Sequence, residues 1–503
     1  MEKTEKNKKL KIPEEVMFVV KQLEKNGFES YVVGGCVRDI LRGEKPSDWD
    51  ITTNAAPQEI GKIFPHSYSD NKFGTVTVLT QSQDITLKEI EITPFRTEAK
   101  YTDKRHPSSV KWAKTIEEDL SRRDFTINAI AIKIENINTQ ADQLNFKIID
   151  LFNGRKDLEK KIIKTVGNPE ERFNEDALRM LRAVRFAVSL GEGWTIEEKT
   201  KEAIKKNSFW LSVISKERIR DELVKIIMTK KAAWGIELLR QLNLLKHIIP
   251  ELEEGYRVTQ NKHHIFDCYV HALMALDFAA KKSFNFYVRM AALLHDVAKP
   301  RTKRGEGDNA TFYGHEIVGA QMAAQILTRL KFKKTDIEKI VKLIRYHLFY
   351  YNVGEVGESS VRRLVKNVGL ENIEELLQLR MADRIGSGCP KAEPYKLRHL
   401  KYMIEKVSQD PISFKMLDIK GDDIMKILSI KPGPKVGQVL DILLGIVLDD
   451  PEKNKKEILE KEVEKLKKLS DEDLKKIAET ARKQREKIET KRDEMTKQKY
   501  WIT

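Results

Sequence analysis

The 503-residue chain is 40% hydrophobic and 34% charged, enough for about three domains with packed cores. Lys and Arg outnumber Asp and Glu by 92 to 77, a net charge of +15 that suits a polyanionic partner. Cys36, Cys268 and Cys389 form no CxxC pair, which argues against a disulfide scaffold or a thiolate zinc site and fits a reduced, cytoplasmic setting.

The opening residues, MEKTEKNKKL, lack the apolar core of a signal peptide and read as a solvated basic arm. Pro13 opens a helix with Val16, Val20 and Leu23 on its apolar face, and Gly27 closes it. Ser30 to Val33 is a short strand that runs into Gly34-Gly35. The β-branched, alternating runs Thr75–Thr80 and Leu87–Thr93 predict further strands, as do Ile130–Ile134 and Phe146–Asp150. Beyond about residue 155 the strand signals fade. Helical periodicity marks 174–190, 216–229, 267–280, 286–298, 315–329, 335–348 and 371–382. RTKRGEGDNAT (301–311) is a polar loop, and KPGPK (431–435) is a rigid break. The apolar stretch 439–448 carries Asp441 and is too short for a membrane span, so it predicts a buried helix. After Pro451 the chain is rich in Lys and Glu, and Ser470 with Asp473 predicts the cap of a last helix.

The run YVVGGCVRDILRGEKPSDWDITT carries the clearest chemistry. A strand ends in Gly34-Gly35, and a helix follows with Arg38 and Asp39 in its first turn. Glycine lets backbone approach a phosphate, and a helix N-terminus offers free N–H groups to an anion. If Asp48-Trp49-Asp50 is extended, its two carboxylates share one face. Paired carboxylates suit Mg²⁺ bound to substrate phosphates and the two-metal clamp of phosphoryl transfer.

This combination resembles the nucleotidyltransferase superfamily that includes DNA polymerase beta. In its longer form it resembles the class II tRNA nucleotidyltransferase and bacterial poly(A) polymerase branch. Three further stretches are similar to that branch. Arg122-Arg123-Asp124-Phe125-Thr126-Ile127-Asn128-Ala129 matches a segment that contacts the nucleotide sugar and phosphates. Asn174 to Arg182 (NEDALRMLR) matches a base-reading helix. The segment 98–112, with Tyr101, Arg105 and Pro107, matches a flexible loop. SKERIRDEL (215–223) looks like the neck, and 418–460 resembles the C-terminal helical segment of many bacterial CCA-adding enzymes. The resemblance does not extend to the segment after 465. The resemblance also implies a third head carboxylate, for which Glu91 is the candidate.

On one helix, Asp176 and Arg179 would share a face. Asp accepts hydrogen bonds and Arg donates them, which complements the amine and ring nitrogen shared by cytosine and adenine. Uracil and guanine would set a carbonyl against the carboxylate, so a protein edge could select C and A. An intrahelical salt bridge is the competing reading of this pair.

In the helical half, His271, His295-Asp296, His315, His347 and Asp383 resemble the HD phosphohydrolase superfamily. His271, His295, Asp296 and Asp383 match its four-ligand core. His315 and His347 match the added ligands of its two-metal members. His263 and His264 read as loop residues. Imidazole with carboxylate suits a divalent transition metal (Mn, Fe, Ni or Zn) that would activate water for phosphoester hydrolysis. The competing reading is an HD fold kept as an RNA-binding scaffold.

The expectation is an α+β chain: a nucleotidyltransferase head (13–150), a neck with base-reading and RNA-binding helices (151–230), an HD-type body (231–400), a tRNA-binding segment (401–465) and a charged helical tail (466–503). Asp48 and Asp50 would hold Mg²⁺. Gly34, Gly35, Arg38, Asp39, Arg122, Arg123, Asp124, Asn128, Asp176, Arg179 and Arg182 would bind the nucleotide. The resemblance implies addition of C, C and A to tRNA from CTP and ATP, with no membrane or DNA partner. Poly(A) addition, CC-only or A-only addition, an HD phosphohydrolase with an RNA-recruiting head, and a non-catalytic RNA-binding protein stay open at this stage.

Overall fold

The computed structural model describes residues 11–70, 74–98, 110–135, 145–261, 265–408 and 414–502. The loop positions Tyr101, Arg105 and Pro107, the pair His263 and His264, and most of the basic arm lie outside them. The chain forms two compact units. One comprises Met1–His347 with Gln378–Pro390, and the other Leu348–Leu377 with Lys391–Thr503.

The first unit begins with the helix Glu14–Lys25, which buries Val16, Val19, Val20 and Leu23. Nine strands follow: β1 (Ser30–Val33), β2 (Asp50–Thr53), β3 (Ser67–Asp70), β4 (Thr75–Leu79), β5 (Glu89–Pro94), β6 (Arg96–Glu98), β7 (Val110–Trp112), β8 (Ala131–Glu135) and β9 (Asn145–Ile149). Seven of them make one mixed sheet in the order β3-β4-β5-β2-β1-β8-β9, and β6 pairs with β7 separately. Central β1 is buried at all four positions, as a strand covered on both faces must be. Its register with antiparallel β2 sets Val33 opposite Asp50. The parallel pairing of β2 with β5 sets Asp50 beside Glu91. The sheet thus brings the end of β1, the start of β2 and the middle of β5 to one place. Its core joins Val32, Val37, Ile51, Ile60, Ile92 and Ile132 to the first helix.

Apart from a short parallel pair, Ile162–Ile163 with Thr195–Ile196, the rest of this unit is helical, as the periodicity predicts, with one correction. The stretch 174–190 is not one helix. Pro169–Glu175 ends at Asp176, whose backbone is extended (φ −140°, ψ 105°), and a second helix runs Leu178–Ser189. Asp176 and Arg179 therefore do not share a face of one continuous helix. Helices Lys216–Ile227, Cys268–Lys281, Phe286–Leu294, His315–Arg329 and Lys334–Tyr346 match the predicted segments.

In the second unit, Gly421–Leu428 and Pro434–Asp449 flank the predicted break, and the latter helix buries Val439, Ile442, Leu443, Leu444 and Val447. Asp441 is also buried there, paired with Arg482 at 2.5 Å and Arg485 at 3.4 Å. Both arginines come from Asp471–Lys499, a 29-residue helix whose N-cap Ser470 accepts from the Asp473 N–H. Among the described residues no helix is long and apolar enough to cross a membrane.

Candidate active site and histidine–aspartate metal centre

Gly34 ends β1 and caps the helix Gly35–Arg42 with φ +80°, a conformation L side chains rarely adopt. A Cβ there would lie 3.1 Å from the Asp50 carboxylate and 3.1 Å from the Arg123 guanidinium. A Cβ on Gly35 would lie 3.7 Å from Arg38 and 3.9 Å from Asp48. Both carboxylates and two guanidiniums therefore surround one glycine turn at a helix N-terminus. Between the carboxylates Trp49 is turned inward and buried, while Asp48 is exposed and Asp50 half-buried, the alternation expected of extended backbone. Burial pushes Asp50 up to about 6; Arg123 pulls against this, and the charges of Asp48 and Glu91 add to the rise. Glu91 is raised as well, by burial and then by Asp48. An all-oxygen set of mutually repelling carboxylates is what a hard divalent cation neutralises. These residues fit Mg²⁺.

The arginines are held from below. Asp119, fully buried and not singled out by the sequence, takes Arg122 at 2.6 Å and Arg123 at 3.0 Å. Arg38 donates to Asn128 Oδ1 (2.9 Å) and to Asp39, and Asp39 also pairs with Arg42. Asp39 is thus a brace for arginines. Asn128 Nδ2 donates to Asp124 (3.0 Å), which pairs with Arg182 at 2.7 Å. Burial alone would raise Asp124, but Arg182 and Asn128 hold it down at about 2. Arg38, Arg182 and Arg185 all lie over the ring of Phe186, within 5.4 Å of its centroid.

The two base-reading candidates do not pair with each other. Asp176 is held by Arg218 through two contacts, 2.6 and 3.2 Å, and accepts the Leu178 N–H at 3.0 Å. Arg179, nearly buried, donates to Glu175 at 2.6 Å and to the Arg122 carbonyl at 3.0 Å. Arg218 and Glu175 both lay inside stretches recognised from the sequence, yet spacing alone gave no sign of these partners.

The second cluster forms as the histidines suggest. The ligand atoms of His271, His295, Asp296 and Asp383 lie within 4.8 Å of one another, and so do those of Asp296, His315 and His347; all six residues are buried. Asp296 joins the two groups. Its Oδ2 faces His271 (3.0 Å) and His295 (3.3 Å), and its Oδ1 faces His315 (3.3 Å) and His347 (3.7 Å). Asp383 Oδ1 completes the first group, 3.4 Å from His271. His295, His315 and His347 each set Nδ1 on a carbonyl three residues back, at 2.7–2.9 Å, which turns Nε2 toward the cluster. Such outer contacts fix the tautomer of a metal-binding imidazole. Burial would lower His295, yet Asp296 and Asp383 hold it raised, while burial and the neighbouring His295 push His347 down. Nitrogen and carboxylate donors in two groups that share Asp296 fit two divalent cations. The sequence reasoning passed over Lys299, buried 2.6 Å from Asp296, and Arg380, 2.7 Å from Asp383.

Residues 30–164 match the family model described as "Poly A polymerase head domain". Residues 193–255 match "Probable RNA and SrmB- binding site of polymerase A" and 268–386 match "HD domain". The CCA-adding enzyme of Ligilactobacillus salivarius (strain UCC118) is 34% identical over 458 residues, covering 88% of this chain and 96% of that one. The CCA-adding enzyme of Lactococcus lactis subsp. lactis (strain IL1403) is 32% identical over 460 residues, 91% and 99% of the two chains. The crystal structure of the Bacillus stearothermophilus CCA-adding enzyme in complex with CTP aligns at TM-score 0.54 and 26% identity, over 89% of this chain and 96% of that one.

Proposed function

The chain belongs to the family of CCA-adding enzymes, and on that premise we propose that its head adds C, C and A to the 3′ end of tRNA from CTP and ATP. The observation that carries this reading is the convergence of Asp48, Asp50 and Arg123 on the Gly34-Gly35 turn. Asp48 and Asp50, with Glu91 as third carboxylate, would hold Mg²⁺. The bound ions supply charge neutralisation at the triphosphate and a lowered pKa for the attacking hydroxyl. The glycine turn and the helix N–H groups bind phosphate oxygens, and Arg38 and Arg123 add charged donors. Asp119 keeps Arg122 and Arg123 in place. Asp124 and Asn128 form the polar floor on which the sugar is oriented. The tRNA 3′-hydroxyl then attacks the α-phosphorus in line and pyrophosphate leaves, a reaction governed by positioning and electrostatics.

Base choice belongs to Asp176 and Arg179. Arg218 and Leu178 occupy part of the Asp176 acceptor capacity and leave it a lone pair for an exocyclic amine. The basic helices bind tRNA by shape and phosphate contacts. The histidine–aspartate cluster acts as a separate metal-dependent phosphohydrolase, with a transition metal such as Mn, Fe, Ni or Zn. The head is assigned to 13–150, the neck to 151–230, the HD body to 231–400 and the tRNA-binding and tail segments to 401–465 and 466–503. A cytoplasmic site of action suits this work.

The test is Asp50→Ala. Nucleotide addition to tRNA lacking its CCA end should vanish while tRNA affinity changes less than twofold. Full incorporation of C and A by this variant would refute the assignment.

A further inference from the structure

In the second unit an aromatic and cationic surface is left open by an otherwise tightly fastened fold. The helix Asp471–Lys499 is tied to the helix Tyr395–Ser408: Asp493 accepts from Tyr402 at 2.5 Å, and Glu405 takes both Lys499 and Tyr500 at 2.7 Å. Ile502, just beyond, is buried. Trp501 between these anchors is 78% exposed and has φ +52°, in the left-handed region that a bulky residue rarely occupies. The backbone is pinned on both sides of an indole held out in solvent. Arg398 lies 5.9 Å from the Trp501 ring and 5.8 Å from that of Tyr395. Tyr395 leads through His399 to Tyr351, each step 6.0 Å between centroids. Tyr351 lines a cavity of about 220 Å³ walled also by Phe349, Tyr350 and Leu400, with Arg363 and Asn367 at its edge. Tyr350 is 70% exposed. Arg363 makes no hydrogen bond or ion pair among the described residues. The neighbouring acids are already engaged, Glu355 by Tyr350 and Asn352, and Glu405 by Lys499 and Tyr500.

Arg398 makes one long contact, to the Trp501 carbonyl at 3.5 Å. Rings alternating with guanidinium groups form the usual surface for unpaired nucleotides: bases stack on the rings and phosphates meet the cations. Val356, Val361, Leu364 and Leu400 line the cavity end, but from Tyr351 through Tyr395 to Trp501 the track consists of rings and a guanidinium, the groups that suit bases and phosphates. We propose that the track from Tyr350 through Tyr395 and Arg398 to Trp501 binds unpaired bases of the tRNA substrate. The inference rests on the reading of the chain as a tRNA nucleotidyltransferase. It places tRNA recognition partly in the segment beyond residue 465.

The test measures binding of two RNAs lacking the CCA end, a full tRNA transcript and a loop-free acceptor-stem duplex. Trp501→Ala and Tyr350→Ala should each weaken the full tRNA by about five- to fiftyfold, in line with the alanine-substitution cost of base–aromatic stacking. The duplex should lose less than twofold. Trp501→Phe should bind tRNA nearly as the wild type, and KM for CTP should not change in any variant. Unchanged tRNA affinity in both alanine variants overturns the proposal, as does an equal loss on tRNA and duplex. Wild-type protein that adds C and A while these variants bind normally sinks this inference alone. Wild-type protein that adds neither nucleotide sinks the reading beneath it.

Discussion

Replacing Arg218 with Ala should relax base choice without touching the metal-binding carboxylates. Arg218 grips both oxygens of Asp176 from the helix Lys216–Ile227, at 2.6 and 3.2 Å. Asp176 sits in the extended break between two helices, so no helical backbone fixes its side chain. After substitution only the Leu178 N–H, at 3.0 Å, would still orient the carboxylate. Hydrogen bonds to charged groups are worth roughly 1.5–3 kcal/mol. The pair is partly exposed, which favours the lower figure, and about 1.5 kcal/mol is roughly tenfold in relative rate. The assay is kcat/KM for CTP, ATP, UTP and GTP on tRNAs ending before the first C, the second C and the terminal A. UTP and GTP should gain about tenfold against CTP and ATP. Arg218→Lys should not restore selectivity, because an ammonium lacks the two-pronged geometry. A uniform fall for all four nucleotides, or no change, would mean that Arg218 only braces the neck and that Asp176 is oriented by other means.

Gly34→Ala should cut nucleotide addition by about a hundredfold with the fold intact, since φ +80° and the 3.1 Å approaches force Asp50 and Arg123 out of place; circular dichroism and single-turnover rates check this. Asp124→Asn should cost about 2 kcal/mol at neutral pH, measured by urea unfolding, because the native carboxyl is held near 2 against its usual 3.8. For a depressed carboxylate the stabilisation is present above the unfolded pKa and is lost as pH falls through the folded one, so the gap between wild type and variant should close between about pH 4 and 2. A gap that stays constant over this window would contradict it. His295→Ala should abolish stoichiometric transition-metal binding and any hydrolysis of cyclic nucleotides or 2′- or 3′-phosphorylated RNA ends, with CCA addition preserved. Wild-type protein that binds no such metal would leave the cluster a structural relic.

Much of this organisation is legible in the residues themselves. The glycine turn and Asp48-Trp49-Asp50 announce themselves because turn chemistry and strand alternation are local properties, and the structure adds the register of β2 beside β5 that brings Glu91 alongside. The six His and Asp positions converge because apolar helices around them leave one polar interior. The break at Asp176 escaped periodicity, since NEDALRMLR keeps apolar spacing across it; in the fold the extended Asp176 meets Arg218 from another helix. Asp119, Arg218 and Lys299 were invisible for a related reason. Each acts on a partner chosen by packing, and a buried charge is recognised only by what surrounds it.

The central claim is tested most directly by the product itself. End-labelled tRNA lacking its last three nucleotides is incubated with the protein, Mg²⁺, CTP and ATP, and the extended RNA is sequenced. The account predicts growth by three residues, C, C and A in that order, then arrest, and arrest after two C residues when ATP is omitted. An open-ended run of A, or growth unaffected by omission of CTP, would contradict it and point to poly(A) synthesis.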